Sequence, residues 1–340
     1  MRMLVVIVCY RVVDLTIDCL RSLDAEIRAI PGAKAIVCEN GTGGDAVERL
    51  SEAIQTNGWS DWCELQAIWP NLGFTGGNNH VIRPALDSDD PPEYVLLLNT
   101  DTIIHEGSLR TLLQFMDERP SIGICGNRLD YPDGTAGPSP FRFQGIATEF
   151  DRGLRVGVVS KLLARWAVRP PLPEQACPVD WVAGACMLIR REVLEAIGPL
   201  DDGYYTYFDD IDYCLMAKRA GWPTWFVPES RIIHLEGMTT GLQPGGKPAL
   251  KRKPSYWFQA RRRFFLKSYG PLYTALVDGA YITGSMLSRV VRKLRRKPND
   301  EPPHLLLDSI RQSVFVKGFR LTDVENPALR EQTSQPMTVG

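Results

Sequence analysis

The sequence predicts an α/β fold with a mainly parallel central sheet flanked by helices. Short apolar runs alternate with helical patterns over the first hundred residues, a spacing that is typical of parallel sheets. Polar clusters follow several of these runs, where ligands bind in such folds. The 340 residues are 44% hydrophobic and 23% charged, as in an ordinary globular protein with one large core or two lobes.

Each predicted strand is followed by a turn or a helix. The expected strands of the first hundred residues are MLVVIVCY (3–10), AKAIVCEN (33–40), CELQAIWP (63–70) and EYVLLLNT (93–100). Asp14 can cap the helix after the first strand, and a second helix is expected near residues 45–56. Residues 131–180 are rich in Pro and Gly and predict a long irregular connection, after which VDWVAGACMLIRREVL (179–194) resumes with a strand and a helix.

Charge is distributed unevenly along the chain. The formal net charge is −1, yet residues 247–297 hold 14 Lys and Arg against one acid, Asp278. This amphipathic segment suggests an anionic partner, either phosphate groups or a lipid surface. The alternative is that the bases pack on the acidic body of the same protein. Beyond residue 298 the composition is polar and Pro-rich, which favours partial disorder.

Cysteine usage and hydropathy bear on the compartment. The eight cysteines are scattered, form no C-x-x-C pair and often lie in apolar runs, which suits buried thiols in a reducing cytosol. The first apolar run is too short for a signal peptide, and no 18 uncharged apolar residues stand together. We therefore expect a cytoplasmic protein.

Two positions have the residue types of a divalent-metal site. Asp101, in LLLNTDT (96–102), comes just past a buried strand, and His234, in PESRIIHLEG, follows another apolar run. A carboxylate there can bind Mg²⁺ or Mn²⁺, and imidazole is an accepted ligand of Mn²⁺. The alternatives are a turn or helix-cap aspartate and a histidine of the core.

Glycine-rich loops at strand ends suggest a nucleotide. NLGFTGGNN (71–79) offers a backbone that a nucleotide can approach closely, although an ordinary Gly/Asn loop has the same composition. GTGGDA (41–46) formally matches a dinucleotide fingerprint, but it follows the second strand and not the first. Glu39 and Asn40 stand at the exit of that second strand.

The stretch YTYFDDIDYC (205–214) crowds three aspartates behind aromatic residues. Asp209, Asp210 and Asp212 could serve a helix N-terminus, which explains one or two of them better than three. Burial and a neighbouring carboxylate would instead raise one pKa and suit it to act as a general base.

RRRFFLK (261–267) mixes cations with aromatic residues. Arginine forks match phosphate geometry, so the segment could contact a diphosphate or lipid phosphates, or simply form a solvated helix face. Nucleic acid is disfavoured as a partner because no recognised binding module accompanies the patch.

Taken in order, these segments resemble glycosyltransferase family 2, and within it the rhamnosyltransferase-like enzymes of bacterial surface-polysaccharide synthesis. VVIVCYRVVDLTIDCLRSL resembles the opening strand and helix, and NLGFTGGNN is close to the family's N-x-G-F-x-x-G-N-N loop. LLLNTDT stands at the D-x-D-type metal motif. VDWVAGACMLIRREVLEAIGPLDDGYYTYFDDIDYCLMAKRAGW resembles the acceptor-side block, and RRRFFLKSYG the Arg-containing block after it. The resemblance covers about residues 3–270.

The resemblance implies a GT-A fold and an inverting transfer from a nucleotide-diphosphate sugar with Mg²⁺ or Mn²⁺ as cofactor. It assigns the base to Asp210 and the metal to Asp101 and His234. Donor contacts are implied for Glu39, Asn71, Gly73, Asn78, Thr100 and Arg261, and acceptor contacts for Trp181, Asp209 and Asp212. Three residues depart from the family pattern: Glu39 replaces the usual Asp, Thr100 stands where Pro is common, and Asp209 replaces Glu.

The implied organisation is a GT-A catalytic domain followed by an extension. The domain would cover residues 1–245, with a nucleotide-sugar half at 1–102 and an acceptor half at 103–245. A basic, amphipathic helical extension would follow at 246–297, and a polar, partly disordered tail at 298–340.

The implied partners are a nucleotide-diphosphate sugar, a glycan or lipid-linked glycan acceptor and an anionic membrane surface. The enzyme would then be peripheral on the cytoplasmic face, and a homodimer is compatible with the sequence. A sugar nucleotidyltransferase needs a basic G-x-G-x-R-type loop where this chain has CYRVVD. A dehydrogenase would depend on GTGGDA alone. A non-catalytic sugar-binding module is the remaining alternative.

Overall fold

The computed structural model describes residues 1–235, 251–296, 298 and 301–329. Its strands are β1 (Met3–Cys9), β2 (Ala33–Asn40), β3 (Cys63–Ile68), β4 (Tyr94–Leu98), β5 (Thr102–Ile104), β6 (Ile124–Asp130), β7 (Pro140–Phe141), β8 (Cys177–Val179), β9 (Trp181–Val182), β10 (Cys186–Arg190) and β11 (Thr224–His234). Its helices are α1 (Val13–Arg28), α2 (Ala46–Thr56), α3 (Gly73–Leu86), α4 (Ser108–Asp117), α5 (Ile146–Leu154), α6 (Gly157–Leu162), α7 (Arg191–Ile197), α8 (Asp209–Arg219), α9 (Ser255–Leu294), α10 (Leu305–Gln312) and α11 (Val314–Lys317).

Within these described ranges, nine strands form one sheet of order β3-β2-β1-β4-β10-β6-β11-β5, with β8 paired to β11. β1 runs parallel to β2 and β4, and β2 runs parallel to β3, as expected from strands joined by helices. The four strands predicted in the first hundred residues are confirmed. β10 lies antiparallel between β4 and β6, so the sheet is mixed beyond the parallel block.

Helices cover both faces of the sheet, as predicted. Apolar residues of α1, α2 and α4, among them Leu20, Leu50 and Leu112, pack on one face. The other face is covered by α3, α8 and α9 through residues such as Ile82 and Phe264. Burial on both faces explains why the parallel strands read as continuous apolar runs. The polar strand ends remain near the edge where ligands bind.

The basic extension contains a long helix with a break. α9 is interrupted at Gly270, whose φ of 79° is left-handed, and Pro271 starts the second segment. Proline lacks the N–H that would continue the ladder, and glycine adopts this conformation without steric cost. Residues 255–269 pack into the protein body, while several apolar side chains of residues 271–294 are exposed. The expected domain boundary near residue 245 lies outside the described residues.

The expected disorder beyond residue 298 does not hold for residues 301–329. They include α10 and α11 and return to the main body of the protein, where the N–H of Val324 donates to the carbonyl of Gly203 at 2.7 Å. Asp308 of α10 pairs with Arg252. Contacts of this kind with distant residues order the segment. Amino-acid composition does not reveal such contacts.

None of the helices in the part of the chain that the structure describes has the length and apolarity to cross a membrane. The eight cysteines are all free, and seven of them are buried, as their apolar surroundings predicted.

Candidate active site

A cleft of about 330 Å³ gathers several of the residues that the sequence singles out. Asp209 and Asp210 at the start of α8, His234 at the end of β11 and Trp181 all line it. A larger cavity of about 440 Å³ lies elsewhere, against a run of prolines that includes Pro170, and contains none of these side chains. The aspartates therefore define the chemically interesting cleft.

The turn that leads into α8 is strained. Tyr207 and Phe208 both have left-handed backbones, with φ of 68° and 63°. Side chains with a Cβ rarely adopt this conformation, and it persists where the surroundings enforce it. Phe208 packs against Trp257 and Phe264 of α9. Aromatic packing from α9 thus holds the turn that aims the aspartates at the cleft.

Asp209 and Asp210 have different electrostatic surroundings. Asp210 accepts hydrogen bonds from the N–H groups of Gly184 (3.2 Å) and Ile211 (2.8 Å). Burial raises the pKa of Asp210 above its usual range, and these donors partly oppose the rise. Burial raises the pKa of Asp209 well above its usual range, and the charge of Asp210 adds to it. Two adjacent carboxylates resist joint ionisation, and of the two it is Asp209 whose pKa is raised further.

Asp212 serves the fold and not the cleft, contrary to the expected acceptor contact. It is buried, and its Oδ2 pairs with Lys267 Nζ of α9 at 2.5 Å. Lys267 also pairs with Asp201 at 2.8 Å. Burial raises the pKa of Asp212, and the Lys267 charge opposes this rise. The third aspartate therefore joins α8 to α9.

The side chains of Asp101 and His234 lie together, as a shared metal site requires. His234 Nε2 is 3.3 Å from Asp101 Oδ1, and the N–H of Leu235 donates to the Asp101 carbonyl at 2.8 Å. Both side chains are largely buried. In the described ranges no cluster of three or more His, Cys, Asp or Glu side chains could hold a metal. Two protein ligands fit Mg²⁺ or Mn²⁺ well, since such ions often take their other ligands from water and substrate phosphates.

The loop at residues 69–73 leads into NLGFTGGNN (71–79), the segment that the resemblance assigns to the donor. We call residues 69–73 the donor loop, and Asn40 holds this loop from inside. The Leu72 N–H donates to Asn40 Oδ1 at 2.8 Å, and Asn40 Nδ2 donates to the Gly73 carbonyl at 2.9 Å. Gly73 has a φ of 78°, and a Cβ there would lie 2.2 Å from the carbonyl oxygen of Tyr205. Only glycine allows the donor loop to touch the turn before α8 so closely.

The other expected donor residues lie around this loop without lining the cleft. The side chain of Asn71 accepts from the Gly73 N–H at 2.7 Å. Asn78 donates to the Phe74 carbonyl at 2.8 Å, and its buried Oδ1 has no partner. Glu39 accepts from the Thr42 N–H at 2.6 Å, and Thr100 is buried beside Asp101. These residues surround the strand ends next to the cleft.

Trp181 lies in the cleft wall, as expected for an acceptor contact. Its ring stacks on Phe141 with centroids 4.1 Å apart, and its Nε1 donates to the Arg142 carbonyl at 3.0 Å. The ring is therefore fixed in place before any ligand arrives.

Arg261 does not have the position expected of a diphosphate ligand. Its Nε and Nη2 donate to Glu149, and its Nη1 donates to Asp278 at 2.6 Å. The residue is only 7% exposed. The guanidinium of Arg261, enclosed by two buried carboxylates, therefore stabilises the packing of α5 on α9. Breaking either ion pair would leave an uncompensated buried charge.

Sequence reasoning missed Asn40, Asn99, Gln144 and Trp257. Asn40 was noted as a strand-exit residue but not as the clamp of the donor loop. Asn99, Gln144 and Trp257 line the cleft. Only Asn99 carried a usable signal, since it immediately precedes the expected metal motif in LLLNTDT. Gln144 and Trp257 come from an irregular connection and from α9, and no local pattern points to them.

The mixed sheet flanked by helices, with the cleft near its strand ends, has the architecture of the GT-A fold. Residues 1–269 match the family described as Glycosyltransferase like family 2, and this chain belongs to that family.

Two curated relatives are similar over part of the chain. The N-acetylglucosaminyl-diphospho-decaprenol L-rhamnosyltransferase of Mycobacterium tuberculosis (strain ATCC 25618 / H37Rv) is 29% identical over 206 residues, which cover 56% of this chain and 65% of that protein. Rhamnosyltransferase WbbL of Escherichia coli (strain K12) is 26% identical over 166 residues, covering 48% and 60%. The chain thus spans less than two thirds of the length of either relative.

Two solved structures share the fold. GalNAc-T7 with UDP, GalNAc and Mn²⁺ superposes with a TM-score of 0.57 at 15% identity, over 88% of this chain and 55% of that one. The mannosyltransferase PcManGT from Pyrobaculum calidifontis, in complex with GDP-Man and Mn²⁺, gives 0.50 at 14% identity, over 94% and 82%. The GT-A fold predicted from the sequence is confirmed.

Proposed function

We propose that the chain is an inverting glycosyltransferase that moves a sugar from a nucleotide-diphosphate donor to a hydroxyl of a glycan or lipid-linked glycan. Rhamnose is the first sugar to test, because both relatives are named rhamnosyltransferases. A lipid-linked acceptor is supported by the diphospho-decaprenol sugar in the name of the mycobacterial relative. Synthesis of a cell-surface polysaccharide is the process that such a transfer would serve.

The observation that carries this proposal is the carboxyl group of Asp210, which lines the cleft and accepts hydrogen bonds from two backbone N–H groups. Its raised pKa makes it a better proton acceptor than an exposed aspartate, and the two N–H groups favour its ionised form and orient it. Asp209, whose pKa is raised further, can donate a hydrogen bond to the acceptor in its protonated form. Trp181 and Trp257 offer apolar walls for sugar rings.

Asp210 acts on the acceptor hydroxyl. As the hydroxyl oxygen forms a bond to the anomeric carbon, the bond from that carbon to the diphosphate oxygen breaks, and the hydroxyl proton passes to the Asp210 carboxylate. The diphosphate leaves with the electron pair on the opposite face of the sugar, which inverts the anomeric configuration. One such displacement needs one base and no covalent enzyme intermediate.

Asp101 and His234 would hold Mg²⁺ or Mn²⁺. When bound, such an ion neutralises negative charge on a diphosphate leaving group. Glu39, at the end of β2, would contact the nucleoside, and the donor loop would lie beside the sugar diphosphate.

A lipid-linked acceptor needs an enzyme at the membrane, and the second segment of α9 offers a suitable surface. Its exposed apolar residues recur at helical spacing along one side of the helix. They are Leu272, Leu276, Met286, Leu287, Val290 and Leu294. Phe315 of α11 lies beside Gly279 on the same surface, and it is 58% exposed. We call this set the apolar face.

Bases flank the apolar face. Exposed cations follow its last turns, namely Lys293, Arg295 and Arg296, whereas Arg289 and Arg292 pair with Glu301. Apolar side chains that enter an interface, next to cations that meet anionic lipids, are the features of a helix lying on a membrane. We assign the apolar face to an anionic lipid surface, with the enzyme peripheral on the cytoplasmic side.

A transfer assay with paired aspartate variants tests the proposed chemistry. Nucleotide sugars, beginning with dTDP-rhamnose, are offered with a lipid-linked N-acetylglucosaminyl diphosphate and Mn²⁺. Asp210→Asn removes the base, and turnover should fall by roughly 10²–10⁴-fold with donor binding retained. Asp209→Asn keeps a neutral hydrogen-bonding group, and turnover should stay within about tenfold.

Equal losses in the two variants would contradict the assignment of the base to Asp210. Failure of every donor to turn over, by transfer or by slow hydrolysis, would overturn the proposed function as a whole.

A further inference from the structure

Residues 321–329, here called the strap, contact the loop before α8 and the first segment of α9, and they reach the donor loop at Asn326. The N–H of Val324 donates to the Gly203 carbonyl at 2.7 Å, and the Val324 side chain is buried in the core. The N–H of Glu325 donates to Gln259 Oε1 of α9 at 2.8 Å. The loop before α8 and the first segment of α9 therefore fix the course of the strap.

Asn326 is the residue of the strap that reaches the donor loop. Its Nδ2 donates to the Asn71 carbonyl at 2.8 Å, and its Oδ1 accepts from the Ala328 N–H at 2.9 Å. Because the strap's own backbone engages the oxygen, the amide turns its N–H₂ towards Asn71. The hydrogen bond is thus oriented from both ends.

This contact completes the support of the donor loop. Asn40 holds Leu72 and Gly73 from the sheet side, and the carbonyl of Tyr205 abuts Gly73. Asn326 holds the preceding residue, Asn71, from the side of the strap. The peptide group between Asn71 and Leu72 is therefore held at its carbonyl by Asn326 and at its N–H by Asn40, two residues from distant parts of the sequence.

We propose that Asn326 is a positioning residue for the nucleotide-diphosphate donor and that the strap couples the donor loop to the turn before the catalytic aspartates. The Val324–Gly203 bond ties the strap to the loop that continues into Tyr207 and Phe208, and Asn326 ties it to the donor loop. Movement of either loop is then resisted by the other through the strap. The role in donor binding rests on the function proposed above, whereas the bracing of the loop does not.

Loss of the Asn326 amide should loosen the donor loop without unfolding the protein. A single partly buried hydrogen bond contributes little to global stability, but the loop would sample more conformations before it binds a ligand. The cost should therefore appear in donor binding. The chemical step at Asp210 should be nearly unchanged once the donor is bound.

The test combines hydrogen exchange with binding and kinetics on the full chain. In Asn326→Ala the backbone amides of residues 72–74 should exchange at least about fivefold faster, while the thermal midpoint stays unchanged within error. The KM for the donor, and the Kd for whichever of UDP, GDP or dTDP binds the unmodified chain with Mn²⁺, should rise about three- to tenfold. The kcat should stay within about twofold.

Two further variants separate this role from a general effect of the strap. Asn326→Asp keeps the shape and the acceptor for Ala328 but loses the donor to Asn71, so it should behave like Asn326→Ala. Thr322→Ala alters an exposed strap side chain that is not bonded to the loop, and residues 72–74 should exchange as in the unmodified chain.

Unchanged exchange at residues 72–74 in Asn326→Ala would overturn the proposal. So would a fall in kcat and thermal midpoint with no change in KM or Kd, since that pattern indicates a structural role alone. If exchange rises as expected but no nucleotide binds the unmodified chain, the bracing stands and the proposed function fails.

Discussion

The two segments of α9 both contain bases, but they have opposite surroundings. In residues 255–269, cations are buried in ion pairs with the body of the protein, as Arg261 is with Glu149 and Asp278. In residues 271–294, apolar side chains are exposed, and Leu272 and Leu294 are 78% and 79% exposed. Bases of residues 255–269 are thus paired inside the protein, and we call these ion pairs the internal frame. Residues 271–294 instead present an outward-facing surface.

This difference shows that the role of a basic segment depends on where the acids that pair with its bases lie. Arg263 and Lys267 share Asp201, an acid of the loop before α8. Arg252 pairs with Asp308 of α10. The expectation that the whole of residues 246–297 faces an anionic partner is wrong for these cations, and the alternative of packing on the protein's own acidic body holds for them. The surface that we propose for lipid begins after Gly270.

The largest effect should follow from breaking the internal frame. Arg261→Met leaves Glu149 and Asp278 buried near each other with less compensation, so the free energy of unfolding should fall by about 3–5 kcal/mol. Urea unfolding followed by fluorescence measures this change. Lys293→Met, on the exposed segment, is the matched control and should change the free energy by less than about 0.5 kcal/mol. Similar losses of unfolding free energy in Arg261→Met and Lys293→Met would show that bases of the two segments do not differ in their contribution to stability.

Acid should weaken the same frame by a somewhat smaller amount. Burial alone would raise the pKa of Glu149, but Arg152 and Arg261 outweigh it and lower the pKa from 4.5 to about 2. A group with a lowered folded pKa stabilises the protein above its unfolded pKa, and this contribution is lost as pH falls from about 4.5 to about 2. At about 1.4 kcal/mol per pH unit, the loss over these 2.5 units is at most about 3–4 kcal/mol.

The Glu149→Gln variant isolates this contribution. The difference in free energy of unfolding between the unmodified chain and Glu149→Gln should narrow as pH is lowered from 6 to 3. A difference that stays constant across this range would show that Glu149 is not held ionised by the two arginines.

The smallest of these effects concerns the exposed segment and its proposed lipid surface. The double variant Leu272→Ser/Leu276→Ser should lower partitioning onto vesicles of phosphatidylglycerol and phosphatidylethanolamine by about 10- to 100-fold, because it removes two side chains that would enter the interface. Its unfolding free energy should be nearly unchanged. Flotation with these vesicles, and with neutral phosphatidylcholine vesicles, measures the partitioning.

Val158→Ser/Leu162→Ser is the matched control, since Val158 and Leu162 are 70% and 75% exposed on α6. It should bind vesicles like the unmodified chain. Equal loss in both double variants, or no binding by the unmodified chain at low salt, would remove the lipid surface from the proposed function.

The parts of the molecule that could be predicted from the sequence are those set by local pattern. The apolar runs of β1 to β4 are continuous because both faces of the parallel block are covered, so their bounds were visible in the residues. Asp101 and Asp210 could be predicted as site residues because a carboxylate directly after a buried or aromatic segment loses hydration, and a functional role explains why it is present. The structure places both at one strand-end region, and their catalytic and metal roles remain proposals.

What could not be predicted depends on pairs that are distant in sequence. Arg261 has the composition of a phosphate ligand, and only the approach of Glu149 from α5 shows its internal role. Asp212 looks equivalent to Asp210 until Lys267 is seen beside it. The polar local composition of the strap predicts partial disorder. The residues that anchor it, Gly203 and Asn71, lie in other parts of the chain, so composition does not reveal them. Contacts between residues so far apart in the chain produce no pattern in the local sequence.

The Asn326–Asn71 hydrogen bond joins residues 255 positions apart, which affects the order in which the protein becomes complete during synthesis. The ribosome releases the parallel strands and the donor loop long before the strap. At roughly 5–20 residues per second, synthesis of the intervening chain takes on the order of 10–50 s. Through that interval the nascent chain can pair β1 with β2 and β4, yet its donor loop lacks the outer brace. A growing chain therefore has a folded sheet well before it has a finished donor site.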